Sequence, residues 1–212
     1  MAYDFEEQEQ IEELKAWWAR YGGFLLTVLV IVSVTVAGWR LWGWYQARQA
    51  GKAAVALSVL REAVRTSDLP KVRAAATTLE AEHASSIYAP MGALLAAKAQ
   101  FEAGELDPAA QSLRWVLEHA ADSEFEPIAR QRLAAVLLQQ GKAADALALL
   151  EQGPSQPAFR ATFADRRGDI LLEMGRTADA RKAYQEALEQ LGPRASLRSS
   201  VQAKLDALGS DS

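Results

Sequence analysis

Glu173-Met-Gly-Arg-Thr-Ala-Asp-Ala180 reads as the end of one helix and the start of the next. Gly175 supplies a left-handed residue that closes the first helix, a short turn follows, and Ala180 gives the second helix a small contact point. Two further copies of this plan lie upstream, at Glu102-Ala-Gly-Glu-Leu-Asp-Pro-Ala109 and Gln139-Gln-Gly-Lys-Ala-Ala-Asp-Ala146. Their glycines, Gly104 and Gly141, are 37 residues apart, and Gly175 follows 34 later. A fainter turn without glycine, Thr66-Ser-Asp-Leu-Pro70, falls 37 residues before Gly104.

Outward from these turns the chain is rich in Ala, Leu, Glu, Gln and Arg, and no alternating strand pattern appears. Helix–turn–helix units at a spacing near 34 are the signature of tetratricopeptide repeats (TPRs). The last copy is the fullest, with Gly168, Leu171, Gly175, Ala180, Tyr184, Ala187 and then Pro193. The copy around Gly104 keeps Ala97, Ala109 and Leu113; that around Gly141 keeps Ala134, Leu137, Ala146 and Leu150. Small residues let paired helices approach closely, and large ones fill the gap between neighbouring units. The patterns predict helix pairs at 46–66/70–84, 87–103/108–121, 125–140/143–152 and 157–174/177–191. A last helix near 195–208, with Leu197, Val201, Leu205 and Leu208 on one stripe, would cap the stack. Gly153-Pro154 cuts the third pair short, and a plain helical bundle is the alternative architecture. The expectation is an all-α fold: a TPR-like α-solenoid over 46–208 and a tail at 209–212.

The amino-terminal part differs. From Tyr21 to Trp39 no residue is charged, and a helix of that length rises roughly 28 Å, about one hydrocarbon core. Its β-branched run suits a strand in water, but a lone strand in lipid would leave its backbone groups unpaired. Trp17, Trp18, Trp39, Trp42 and Trp44 bracket it, beside Tyr21 and Tyr45, as two aromatic belts would. Residues 21–45 are therefore expected to be a transmembrane helix, continuing into the first pair through Trp44 and Tyr45. A cleaved signal peptide ending near Thr35 and Ala37 is the competing reading, and the long acidic lead-in argues against it. Ser33 and Ala37 form a small-xxx-small pair that could admit a neighbouring helix. Ile11, Leu14, Trp18 and Tyr21 would lie on one stripe of a leading helix. Lys15 and Arg20 before the span and Arg40, Arg48 and Lys52 after it leave the topology undecided.

The net charge of −4 sits entirely in residues 1–20, which carry six acids against two bases; the remainder is balanced. A neutral body argues against nucleic-acid binding, which needs Lys and Arg to neutralise phosphates. No Cys is present, so thiol chemistry, disulfides and Cys-ligated zinc are excluded. His83 and His119, in Ala-Glu-His-Ala and Leu-Glu-His-Ala, fit helix C-termini better than a metal site. Asp165/Asp169 and Glu186/Glu189 read as solvated helix faces, and no nucleophile elbow or phosphate loop occurs. No cofactor, metal or catalytic residue is expected. Surface remains: in TPR stacks the first helix of each pair lines a groove. Candidate protein-binding residues are Met91, Leu94, Lys98, Phe101, Ile128, Gln131, Leu138, Thr162, Asp165, Asp169 and Leu172. Packing between repeats competes with partner contact at each of them.

The acidic head Glu9-Gln-Ile-Glu-Glu-Leu-Lys-Ala-Trp-Trp18, then Tyr21-Gly22, one span, Gly38-Trp-Arg-Leu-Trp-Gly-Trp-Tyr45 and degenerate TPRs together resemble the YfgM-like ancillary subunits of the SecYEG translocon. That resemblance implies a single-pass protein of the bacterial inner membrane, with residues 1–20 cytoplasmic and the TPR domain periplasmic. It also implies association with SecYEG and with a membrane-anchored periplasmic chaperone of the peptidyl-prolyl isomerase type; the groove would then recruit that chaperone or hold translocating polypeptide near the channel exit. The rival reading is a generic membrane-anchored TPR scaffold for envelope or cytochrome assembly.

Overall fold

The computed structural model describes residues 3–120, 123–154, 156–193 and 195–209, with the side chains of 3–14, 16, 46 and 47 left aside. The side chains of Ile11 and Leu14 of the leading stripe, and residues 210–212 of the expected tail, lie outside what is described. Among the described residues every regular element is helical: α1 (Tyr3–Arg65), α2 (Leu69–Glu82), α3 (Tyr88–Glu102), α4 (Leu106–His119), α5 (Phe125–Gln139), α6 (Ala143–Glu151), α7 (Arg160–Glu173), α8 (Thr177–Gln190) and α9 (Ser196–Ala207). A 3-10 turn, Pro157–Phe159, leads into α7. Two compact units divide the chain, Met1–Gly51 and Lys52–Ser212.

In the first unit, α1 carries a stretch long and apolar enough to cross a membrane. Residues 23–45 are exposed throughout, so nothing within the unit covers Phe24, Leu29, Ile31 or Val34. Two hydroxyls of the stretch turn back onto its own backbone: Thr27 Oγ1 donates to the Gly23 carbonyl and Thr35 Oγ1 to that of Ile31, both at 2.8 Å. At the two ends, Trp17 packs on Tyr21 and the Arg48 guanidinium lies 4.7 Å over the Trp44 ring. Ser33 and Ala37 are exposed one turn apart.

The second unit is a run of helix pairs, each helix packing on the next in sequence from α2 to α9. One turn geometry makes the three clear repeats. Gly104, Gly141 and Gly175 have φ of 79°, 76° and 74°, which an L side chain rarely adopts. The glycine N–H bonds the carbonyl three back, and the next N–H reaches five back, Glu105 to Gln100, Lys142 to Leu137 and Arg176 to Leu171. Two orphan helix carbonyls are thereby satisfied at each turn. Behind each turn, Ala109, Ala146 and Ala180 are fully buried.

Side-chain size then sets how closely the paired helices sit. A Cβ on Gly168 would lie 2.4 Å from the Tyr184 ring, so the ring occupies the place a side chain would take. Sixteen residues likewise separate Ala97 from Leu113 and Ala134 from Leu150, all four buried in the same core. A smaller knob tolerates alanine in the hole; tyrosine requires glycine.

The first pair reaches the same geometry by other residues. Ser67 holds the left-handed position, φ 54°, with the same two bonds, Ser67 N–H to Val64 and Asp68 N–H to Ala63. Here the large residue sits on the first helix and the small one on the second: Leu60 and Ala76, both buried. Space for Leu60 and Leu79 comes from Gly92 of α3, whose added Cβ would meet Leu79 Cδ1 at 2.6 Å. At the far end α9 caps the stack: Val201 is buried, Leu197, Leu205 and Leu208 pack on the core, and Arg198 donates to the Leu188 and Leu191 carbonyls at 2.9 Å.

An exposed serine in the left-handed region costs roughly 1–2 kcal/mol that glycine does not. Ser67→Gly is therefore expected to raise the unfolding free energy by about 1 kcal/mol. Chemical denaturation of the full-length chain checks this; a destabilised variant would contradict it.

Candidate functional site

The first helices of successive pairs adjoin: α3 meets α5, and α5 meets α7. The candidate residues fall along this face in three states. Lys98 and Leu172 are exposed, and Met91, Phe101, Ile128, Gln131, Leu138, Thr162 and Asp169 are half-buried. Leu94 and Asp165 are buried, Leu94 within the core. Gln131 Nε2 donates to Thr162 Oγ1 at 2.6 Å, which ties α5 to α7 through two of the candidates.

Asp165 and Asp169 correct the expectation of a solvated acidic face. Lys204 of α9 reaches back so that its Nζ lies 2.8 Å from Asp165 Oδ1 and 2.7 Å from Asp169 Oδ1. The Tyr184 hydroxyl donates to the same Asp169 oxygen at 2.9 Å, and Arg166 approaches its other oxygen at 3.5 Å. Burial and then the Asp169 bond raise the Tyr184 hydroxyl well above an ordinary phenol, keeping it a donor. Burial alone would lower Lys204; the two carboxylates outweigh it, and its pKa is raised. A cation from the cap helix thus bridges the two carboxylates at the carboxyl-terminal end of the face. The signal for it was in the chain, because Lys204 lies next to the Val201/Leu205 stripe.

Between α3 and α5 the face opens into a slot of about 250 Å³. Ala97, Phe101, Leu113, Ala135 and Val136 line it, with Lys98 and Arg132 completing the wall. Arg132 is held by one bond from Nη1 to the Leu94 carbonyl, at 3.0 Å.

Another concavity, of about 350 Å³, lies among α2, α3 and α4, bordered by Arg73, Glu80, Gln100, Gln111 and Ser112. Its distinguishing group, Glu80, is not legible in the sequence, where it is one acid among many. Glu80 Oε1 is buried with no hydrogen-bond partner, and burial pushes the carboxyl up to about 7, against the opposing pull of His119. His83 is the C-cap of α2; His119 ends α4, stacks on Trp115 and has Nδ1 3.0 Å from that residue's carbonyl. Both match the reading as helix C-termini.

A stack of helix pairs presenting a lined face of first helices is the build of a repeat module that binds other proteins. Residues 15–210 match the family described as tetratricopeptide repeat-like domain. The protein from Neisseria gonorrhoeae named ancillary SecYEG translocon subunit is 32% identical, over 98% of this chain and 100% of its own length. Proteins of the same name from Haemophilus influenzae and Escherichia coli are each 28% identical, over 88% and 86% of this chain and 91% and 87% of their own. The crystal structure of MamA protein superposes with a TM-score of 0.53 at 16% identity, over 74% of this chain and 85% of its own; that likeness concerns the fold alone. The chain belongs to the tetratricopeptide repeat-like family and, within it, to the family of the ancillary SecYEG translocon subunits.

Glu80 makes a pH dependence. The folded state holds its proton more tightly than the unfolded chain, whose carboxyl titrates near 4.5, so its contribution to stability falls as pH rises from there through about 7. Glu80→Gln is expected to leave stability unchanged near pH 4 and to raise it by about 1–2 kcal/mol at pH 8, a range discounted for the group's partial solvation. Thermal melts of both proteins across that range decide it; a gap that does not change with pH would contradict this.

Proposed function

We propose that this chain is a non-catalytic, membrane-tethered TPR adaptor of the SecYEG translocon. The apolar stretch of α1 holds it in the bacterial inner membrane, with residues 1–20 on the cytoplasmic side and the solenoid in the periplasm. The face of α3, α5 and α7 then engages a periplasmic peptidyl-prolyl isomerase-type chaperone and assists handover of translocated polypeptide. One observation carries this reading. The likeness to the Neisseria gonorrhoeae subunit runs over 98% of the chain, so it takes in the apolar segment as well as the repeats that many proteins share. Exposure of residues 23–45 supports the tether, since water would leave that surface uncovered. Tethering beside a channel raises the local concentration of the face to the order of millimolar, so weak contacts would suffice.

The test is purification of the full-length chain in mild detergent after photocrosslinking from probes placed at Ser33 or Ala37. SecYEG subunits are expected among the co-purifying and crosslinked proteins. Their absence from both would overturn the reading.

A further inference from the structure

We propose that the α3–α5 slot is a receptor for one side chain of an extended polypeptide, a bulky apolar or aromatic residue with a carboxylate two residues along the chain. The inference deepens the adaptor reading above and rests on it for the polypeptide nature of the ligand.

Size sets the first condition. An apolar cavity of about 150 Å³ is enough to hold benzene, whereas drug- and cofactor-sized ligands need about 300–1,000 Å³. At about 250 Å³ the slot matches a single large side chain. Its walls set the second. Ala97, Phe101, Leu113, Ala135 and Val136 offer no side-chain polar atom, so the inserted group must itself be apolar.

The repeat register explains why the slot opens at this step. Lys98, Ala135 and Asp169 occupy equivalent positions on α3, α5 and α7. At α7 the position is filled by Asp169 with Tyr184 and Lys204 bound to it. On α5 the same position is a half-buried alanine, and the volume beside it stays empty.

Charge sets the third condition. Lys98 and Arg132 stand in the wall of an otherwise apolar slot. Lys98 pairs with Glu102 at 3.7 Å, and both side chains are more than half exposed, which makes a weak pair. Arg132 spends one donor on the Leu94 carbonyl and has five in all. Two cations beside an apolar hole recognise an anion beside an apolar side chain, and an extended chain presents on one face the side chains of residues two apart.

The experiment uses the full-length chain in lipid nanodiscs and a fluorescein-labelled peptide of Gly and Ser carrying one central phenylalanine and an aspartate two residues after it. Anisotropy should show saturable binding. Serine in place of the phenylalanine, or lysine in place of the aspartate, should each weaken it by about tenfold or more. Ala135→Leu fills the slot from a half-buried position and should cost at least as much. Lys98→Glu with Arg132→Glu leaves the slot open, keeps the test alive should the leucine variant not fold, and should reverse the preference toward the lysine peptide. Unchanged binding in a folded Ala135→Leu variant, equal binding of the serine peptide, or no saturable binding would each overturn the inference. Co-purification of SecYEG, measured on the same variants, separates the two proposals. SecYEG retained without peptide binding defeats the slot alone, and SecYEG lost from the wild type defeats the adaptor reading while leaving the slot to its own assay.

Discussion

Apolar helix surface has to be covered, and the two units of this chain meet that requirement in opposite ways. No single helix pair of Lys52–Ser212 can bury its own inner face, so each leans on the next, and α9 closes the end with Val201 and its flanking leucines. Close approach within a pair depends on a small residue opposite a large one. Gly168 against Tyr184 is the tightest instance, since a single added carbon would collide with the ring. Along residues 23–45 of α1 there is no such neighbour: the side chains point outward all round, and the threonine hydroxyls turn back onto their own helix. A surface of that kind is suited to lipid, where van der Waals contact comes from acyl chains and backbone polar groups must be satisfied internally.

Much of the solenoid was legible because its turns depend on glycine, the residue that takes positive φ without strain. Gly104, Gly141 and Gly175 announce themselves, and the helix bounds fall within a few residues of those their spacing predicts. The short α6, ending at Glu151 ahead of Gly153-Pro154, was visible for the same reason. The first pair was faint for a physical cause: its left-handed residue is Ser67, and its knob and hole are exchanged between Leu60 and Ala76. Geometry was kept while the pattern that betrays it was inverted.

Side-chain chemistry was harder to read, since it depends on which helices adjoin. Asp165 and Asp169 look like any exposed acidic pair until α9 delivers Lys204 to them from 39 and 35 residues away. Glu80 becomes a perturbed carboxyl only when α2 packs near α4, and Ala135 borders a slot only through its register with α3. Of the face expected to bind partners, sequence periodicity placed the helices correctly, but it could not separate Leu94, which packs in the core, from Lys98, which does not.

Together these features describe a charge-balanced, repeat-built surface joined to a segment long and apolar enough to cross a membrane. The adaptor reading depends above all on that segment staying in the bilayer. Alkaline carbonate extraction of membranes containing the full-length chain addresses it directly, since it strips proteins held by surface contacts and leaves embedded ones. The account expects the uncleaved polypeptide in the membrane pellet. Its release into the supernatant at full length, or recovery of a soluble fragment beginning near Gly38, would contradict it.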